Sequence, residues 1–419
     1  MDITLMPVTL EGTIKGIASK SFSHRALIGA ALAEGSSTLD NLLGAADIDA
    51  SRRALKQLGA TIDNQQIEGP LGPESGVTIN AGESGSTLRF LIPIAALFDV
   101  AVRFEGEGKL PERPLDIYEN IFTPEIHYER HGPNHLPLTI KGPLQGGRYV
   151  VPGHVSSQFI SGLLFALPLA KKDSVIEVQE PFESKSYVNL TLSTLKRFGI
   201  DIDRSVPRQY RIKGNQQYKP AKLDVEADYS QAAFWLVAGM MGETITVEGL
   251  NPESLQGDRK VLEILTSMNG HIELFGHSVR AHPSKTMGKT IDLSQIPDLG
   301  PVLMVLAAVS TGKSRFINAG RLRLKESDRL YAMQTTLETL GVPVKTHETS
   351  MEITGVKSLK GNVTIDSFND HRVAMAAAIA SIKADGPITI TNFECTEKSY
   401  PTFLKDLISL GANIKEREK

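Results

Sequence analysis

Five short stretches of this chain gather basic side chains, hydroxyls or both where an apolar helical run begins. They are Lys20-Ser21-Phe22-Ser23-His24-Arg25 before a predicted helix at 26–33, and Gly82-Glu83-Ser84-Gly85-Ser86-Thr87-Leu88-Arg89 before one from Phe90. His154-Val155-Ser156-Ser157-Gln158-Phe159-Ile160-Ser161 opens a third that contains 163–169. Arg323-Leu324-Lys325-Glu326-Ser327-Asp328-Arg329 starts a fourth that runs to Leu340, and Asp370-His371-Arg372 starts a fifth at 373–382. A helix N-terminus already carries partial positive charge, so Lys and Arg there cost stability unless an anion binds. A broken local rule is a pointer to function. Ser21 and Arg25 are four apart and share a face, as do Lys325 and Arg329, with Glu326 three before Arg329. Small residues around Gly85 let the backbone approach a ligand, and the neutral donors around Ser156 suit sugar hydroxyls and phosphate. Singly, each stretch also reads as solvated charge around a Ser cap, a plain turn, a capping sequence or surface ion pairs. Five such starts at similar points of the chain point instead to convergence on one polyanionic ligand.

The elements that must carry these clusters repeat. Helical tails ending one step before Gly59, Gly199, Gly270, Gly341 and Gly411 are each followed by an alternating strand, and each Gly suits the left-handed position that stops a helix. These glycines recur about seventy residues apart, with one gap about twice as long, the pattern of a repeated supersecondary unit. The sixth copy is expected in that gap at 113–128, where Thr123-Pro124 replaces the Gly. Six units predict two domains of three. At 419 residues and 41% hydrophobic, the chain has material for two cores. Its net charge of −3, with Lys and Arg scattered, argues against a nucleic-acid or membrane-surface partner, so any anion site must be local. Cys395 is the single cysteine, which excludes a disulfide framework or Cys-rich metal site and fits a reducing compartment. An alternating segment at 8–14 leaves no room for a leader, and apolar runs such as 302–309 are too short to span a bilayer. The expectation is a cytoplasmic protein.

With the clusters quoted above stand Arg113-Pro114, Ser184-Lys185-Ser186-Tyr187, Ile296-Pro297-Asp298 and Cys395-Thr396-Glu397-Lys398. Through these motifs, residues 10–410 resemble the 5-enolpyruvylshikimate-3-phosphate synthase family. The resemblance implies an α/β (α+β) fold of two similar domains, each of three βαβαββ units, with the active site in the interdomain cleft. Residues 1–13 and 226–419 would form the first domain and 14–225 the second. It implies transfer of the enolpyruvyl (1-carboxyvinyl) group of phosphoenolpyruvate to the 5-hydroxyl of shikimate 3-phosphate, with release of phosphate, in aromatic amino-acid biosynthesis. By the same resemblance, Lys20, Ser21, Arg25, Ser156, Ser157, Gln158, Ser184, Asp298 and Lys325 would bind shikimate 3-phosphate. Ser156, Ser157, Ser184 and Lys325 would lie nearest its phosphate. Lys20, Gly85, Arg89, Arg113, Gln158, Arg329, Arg372 and Lys398 would bind phosphoenolpyruvate, where glyphosate also binds in this family. The catalytic group would be Lys20, Asp298, Glu326 and Lys398, with no metal or cofactor and a monomeric enzyme. The chain departs from the family pattern at Glu83, where Asn is usual, at Ile17-Ala18, where Pro-Gly is usual, and at His154, where Ser is usual.

Planar guanidinium groups fit both the carboxylate and the phosphate of phosphoenolpyruvate and stay charged at any working pH. Addition of a hydroxyl to C2 with protonation of C3 gives a tetrahedral ketal, so acid and base must share one site. Asp298 can accept the hydroxyl proton, and Glu326 or Lys398 can deliver one to C3. Two other readings stand beside this one. Enolpyruvyl transfer to uridine-diphosphate-N-acetylglucosamine belongs to a similar family that carries Lys-Asn where Lys20-Ser21 stands and a reactive Cys near Arg113. A non-catalytic sugar-phosphate-binding protein would need the cations but not Asp298, Glu326 and Lys398 together.

Overall fold

The structure, a computed structural model, describes residues 1–122 and 125–417. Thr123-Pro124, expected to interrupt the sixth repeat, lie outside the described residues. Around them that copy is present. Strand Val77–Asn80 leads through helix Gly85–Ala95 to the parallel strand Val102–Glu105, with Ile79 opposite Phe104. Helix Asp116–Phe122 then leads to the antiparallel pair His127–Arg130 and Leu138–Lys141, the latter lying against Val102–Glu105.

Six four-stranded sheets share this order: two parallel strands, then an antiparallel pair whose inner member bonds the second parallel strand. Arg148–Pro152, Ser174–Gln179, Gln209–Ile212 and Ile202–Asp203 lie side by side in that order in one, and Thr290–Asp292, Lys313–Ile317, Met351–Thr354 and Val344–Thr346 in another. Three sheets recruit a strand from a distant part of the chain. Gly12–Lys15 runs parallel to Ile245–Glu248, Lys222–Asp224 parallel to Gly35–Asp40, and Asp2–Leu5 lies between Ile388–Thr391 and Ile414–Arg417. The α+β class and the six βαβαββ units expected from the sequence are therefore the observed architecture.

By internal contacts the chain divides into two compact units, Met1–Ile17 with Glu226–Lys419, and Ala18–Val225. The sequence reading put the first crossing at about Ile14. That residue sits in the parallel strand opposite Val247, so the chain leaves the first unit after Ile17. Of the alternating segment at 8–14, residues 12–14 lie in strand Gly12–Lys15, which pairs in a different sheet from Asp2–Leu5.

Helix ends explain the spacing of the repeat. Gly59, Gly199, Gly341 and Gly411 have φ of +105°, +81°, +78° and +109°, one step past the helix cap. The remaining copy differs. There Asn269 takes the left-handed turn at φ +68°, and Gly270 is needed for space, since a Cβ would lie 2.0 Å from Met240 Cε.

The helix after the first strand of each unit is buried along nearly its whole length, and beyond its polar first turn it is mostly apolar. In the first unit Tyr229–Met241, Gly300–Val309 and His371–Ala380 pack on one another. In the second, Gly85–Ala95 packs on Ser157–Ala166, which packs on Lys185–Arg197. Among the described residues, no helix is long and apolar enough to cross a membrane.

Candidate active site

In the second unit, the first three clusters are first turns of helices rather than segments ahead of them. Helix Lys20–Leu32 is capped by Ser19, Gly85–Ala95 by Ser84 and Ser157–Ala166 by Ser156, each hydroxyl accepting from a backbone N–H. None has an acidic residue in its first turn. A buried chain of hydrogen bonds ties two of these starts together: His24 Nδ1 lies 2.8 Å from Ser51 Oγ, Ser51 Oγ 2.7 Å from Thr87 Oγ1, and Thr87 Oγ1 donates to Ser84 Oγ at 2.8 Å. Burial, then the charges of Lys20 and Arg25, hold His24 well below its ordinary pKa, so it serves here as a neutral bridge.

Arg25 is buried and donates to Thr191 Oγ1 at 2.8 Å, Ser21 O at 2.7 Å and Tyr187 O at 3.0 Å. Its guanidinium lies over Phe90, 5.1 Å from the ring centroid. Burial pushes its pKa down to about 10, so it stays cationic at neutral pH, yet it makes no ion pair among the described residues. A buried charge without a counter-ion is costly, and a bound anion would supply one. Arg113 likewise makes no side-chain hydrogen bond or ion pair with the described residues. Its Nη1 would be 2.7 Å from a Cβ at position 85, which makes Gly85 the residue that leaves room for this guanidinium.

Arg89 is aimed by three contacts. Its Nη1 donates to Gln158 Oε1 at 2.8 Å, its Nη2 to Pro114 O at 3.1 Å, and the group stacks over Phe159 at 5.0 Å. Gln158 in turn donates to Ser86 Oγ at 2.8 Å, joining the second and third clusters. Lys20 Nζ meets Asp47 Oδ2 at 3.0 Å. Ser184, fully buried, caps helix Lys185–Arg197 from a left-handed conformation at φ +51°. The usual-Asn position, Glu83, places its carboxylate against Gly108.

In the first unit several ion pairs centre on Asp298, in a short 3-10 turn at Pro297–Leu299. Lys325 Nζ lies 3.1 Å and Arg329 Nη1 3.0 Å from Oδ1, and Arg372 Nη2 lies 3.5 Å from Oδ2. Burial alone would raise this carboxyl, but Arg372, Lys325 and Arg329 outweigh it and hold it well below the usual carboxylate range. Burial pushes the Lys325 ammonium down to about 8, against the pull of Asp298. Arg329 also bonds Glu326 at 2.7 Å and, through Nε, Asp370 at 2.8 Å; those carboxylates with Asp298 hold it above its ordinary range despite burial. Lys398 Nζ donates to Asn369 O at 2.8 Å. The neighbouring Cys395 thiol is pushed up to about 12 by burial, which keeps it from acting as a thiolate.

One expectation about this group is corrected. Residues 320–324 form a 3-10 turn, Lys325 is extended, Asp328 is the N-cap and the helix is Arg329–Thr339. Lys325 and Arg329 do not share a helical face and meet instead through Asp298, whereas Glu326 and Arg329, three apart as expected, bond directly across the turn before the cap. A capping Asp at 328 was the available signal. The fifth helix starts one residue after Asp370, whose Oδ1 accepts from Arg372 N at 2.9 Å. Sequence reasoning gave no role to Asp47, Thr191, Tyr118 or the Asp370 carboxylate, none of which carries a local signature.

A family model described as EPSP synthase (3-phosphoshikimate 1-carboxyvinyltransferase) matches residues 6–407. A 3-phosphoshikimate 1-carboxyvinyltransferase of Clostridium kluyveri is 47% identical, with 99% of this chain and 98% of that protein aligned. One from Clostridioides difficile is 44% identical over the same shares. Among solved structures, an EPSP synthase from Acinetobacter baumannii has a TM-score of 0.79 at 24% identity, covering 99% of this chain and all of that one. The enolpyruvyl transferase NikO from Streptomyces tendae has a TM-score of 0.81 at 15% identity, covering 99% and 98%. At those identities the two structures speak for the fold.

Proposed function

Since the chain belongs to the EPSP synthase (3-phosphoshikimate 1-carboxyvinyltransferase) family, we infer that it transfers the carboxyvinyl group of phosphoenolpyruvate to the 5-hydroxyl of shikimate 3-phosphate. The observation that carries this reading is kinship at 47% identity over 99% of the chain, supported by the cation-bearing helix starts. Ser21, Arg25, Ser156, Ser157, Gln158, Ser184 and Lys325 bind shikimate 3-phosphate; Gly85, Arg89, Arg113, Arg329, Arg372 and Lys398 bind phosphoenolpyruvate. Lys20, Asp298, Glu326 and Lys398 handle charge and protons at the reacting atoms.

The charge balance of the first unit suggests how the chemistry is switched on. Three cations suppress the proton affinity of Asp298. Substrate phosphate and carboxylate groups compete for those cations, so their arrival raises the affinity of Asp298 for the 5-hydroxyl proton. The hydroxyl oxygen then attacks C2 while Glu326 or Lys398 protonates C3, giving the ketal; C3 then returns a proton to a site base as the C2–O bond to phosphate breaks, which restores the double bond. The chain acts, on this reading, as a cytoplasmic monomer with these two metabolites as its partners.

Phosphate release from phosphoenolpyruvate, measured with shikimate 3-phosphate and separately with uridine-diphosphate-N-acetylglucosamine, tests the assignment. Turnover is expected with the first acceptor. Turnover with the sugar nucleotide alone would reverse it.

A further inference from the structure

Two histidines and a carboxylate share one face of the hairpin formed by His271–Phe275 and Ser278–His282 in the first unit. His271 stands opposite His282 in the antiparallel register, and Glu273 lies two residues along, so the two-residue period of a strand puts all three on the same side. The imidazole rings stack with centroids 4.4 Å apart. One Glu273 oxygen is 3.7 Å from His271 Nε2 and the other 3.2 Å from His282 Nε2. One donor atom from each residue lies within 4.8 Å of the other two. Behind the group, His282 Nδ1 is 3.1 Å from Thr244 Oγ1.

We propose that His271, Glu273 and His282 bind one late first-row divalent cation, with zinc as the reference ion. Zinc bonds to imidazole nitrogen and carboxylate oxygen are about 2.0–2.2 Å, which separates neighbouring tetrahedral ligand atoms by roughly 3.3–3.5 Å. The 3.2 and 3.7 Å separations are to different oxygens of Glu273, and one ligand atom from each residue lies within 4.8 Å of the other two, so side-chain rotation on this hairpin has to draw the three atoms together. Two imidazoles and one carboxylate favour zinc, nickel, cobalt or copper over magnesium or calcium, which take oxygen ligands. When Nε2 of His282 ligates the ion, its Nδ1 can donate to Thr244 Oγ1, 3.1 Å away, the usual support behind a metal-bound histidine. Arg280, 3.6 Å from Glu273 Oε2, is the competitor for the carboxylate; its guanidinium already lies over Phe275 at 4.9 Å and keeps that contact if the ion displaces it. No residue of this group belongs to the transferase machinery, so the ion would clasp the hairpin rather than take part in turnover.

Tag-free protein titrated with zinc chloride against a chromogenic zinc indicator, and with cobalt chloride followed by visible absorption, tests the site. One saturable equivalent is expected, with a cobalt band of tetrahedral intensity and a thermal midpoint that rises in zinc. The double variant His271→Ala/His282→Ala should bind more than about a hundredfold more weakly and lose the midpoint rise, while Thr244→Val weakens binding by about tenfold. Absence of a saturable equivalent in the parent overturns the proposal. So does unchanged affinity in a double variant whose circular dichroism matches the parent, since other histidines would then hold the metal.

Discussion

Three cations, Lys325, Arg329 and Arg372, surround Asp298, which puts a carboxylate proposed to take the hydroxyl proton at a disadvantage. Asp298→Ala and Glu326→Ala should each lower kcat by about a hundred- to ten-thousandfold with the fold intact, the usual contribution of a placed acid or base. Near-normal turnover in either variant removes that residue from the chemistry. Lys325, at about 8, is a cation below that pH and neutral above it. Affinity for shikimate 3-phosphate should therefore fall as pH rises through about 8, and binding at higher pH should take up a proton. KM profiles, with calorimetry in buffers of different ionisation enthalpy, measure both; a KM flat across that range dismisses Lys325 as the phosphate's cation. Asp258 gives a stability test nearby. Burial, then the charge of Asp298, raises this carboxyl to about 7, and its Oδ2 accepts from Ser230 Oγ. Its folded pKa is raised above an unfolded value of about 4, so the stability it confers is whole below about pH 4 and lost as pH rises through 7. Asp258→Asn, which keeps an acceptor for Ser230, is expected to raise the melting temperature over the parent more at pH 8 than at pH 5.

Among the elements, glycines decide how closely helices approach the site. A Cβ at Gly162 would lie 2.4 Å from Arg89 O and 2.4 Å from Tyr118 Oη, the pair joined by a 2.6 Å hydrogen bond. Gly162→Ala must move the helix that carries Arg89. It is expected to cost about 1–3 kcal/mol of stability and to raise KM for phosphoenolpyruvate more than it lowers kcat. Gly270→Ala is the contrast, because its clash is with Met240 and the carbonyl of Leu265, away from any substrate residue. Stability should fall there while KM stays at the parental value. If both variants change KM alike, the effect of Gly162 is general loosening and not displacement of Arg89.

At the scale of the molecule, each unit borrows strands to close its sheets. Lys222–Asp224 completes the sheet of Gly35–Asp40 inside the second unit, with Leu223 opposite Leu39. A fragment of residues 18–225 is expected to melt cooperatively, whereas one ending at 217 exposes an edge and loses that cooperativity by circular dichroism. If residues of both units serve one substrate pair, small-angle scattering should give a smaller radius of gyration when phosphoenolpyruvate and shikimate 3-phosphate are both present. Equal compactness would separate the two sets of residues.

The amino-acid order alone determined what acts within a few residues: the helix runs, their Ser and Asp caps, the left-handed stops at Gly59, Gly199, Gly341 and Gly411, and hence a sixfold unit. Its motifs were also enough to place the chain in its family. Tertiary structure alone decided the partners. Lys20 meets Asp47 across 27 residues of chain, Arg329 meets Asp370 across 41, and Arg25 meets Thr191 across 166. Local propensity carries no term for such pairs, because a charge finds its partner only after elements far apart in the chain have packed. The same cause hid the cross-strand histidines, which are neighbours by register and eleven positions apart by sequence.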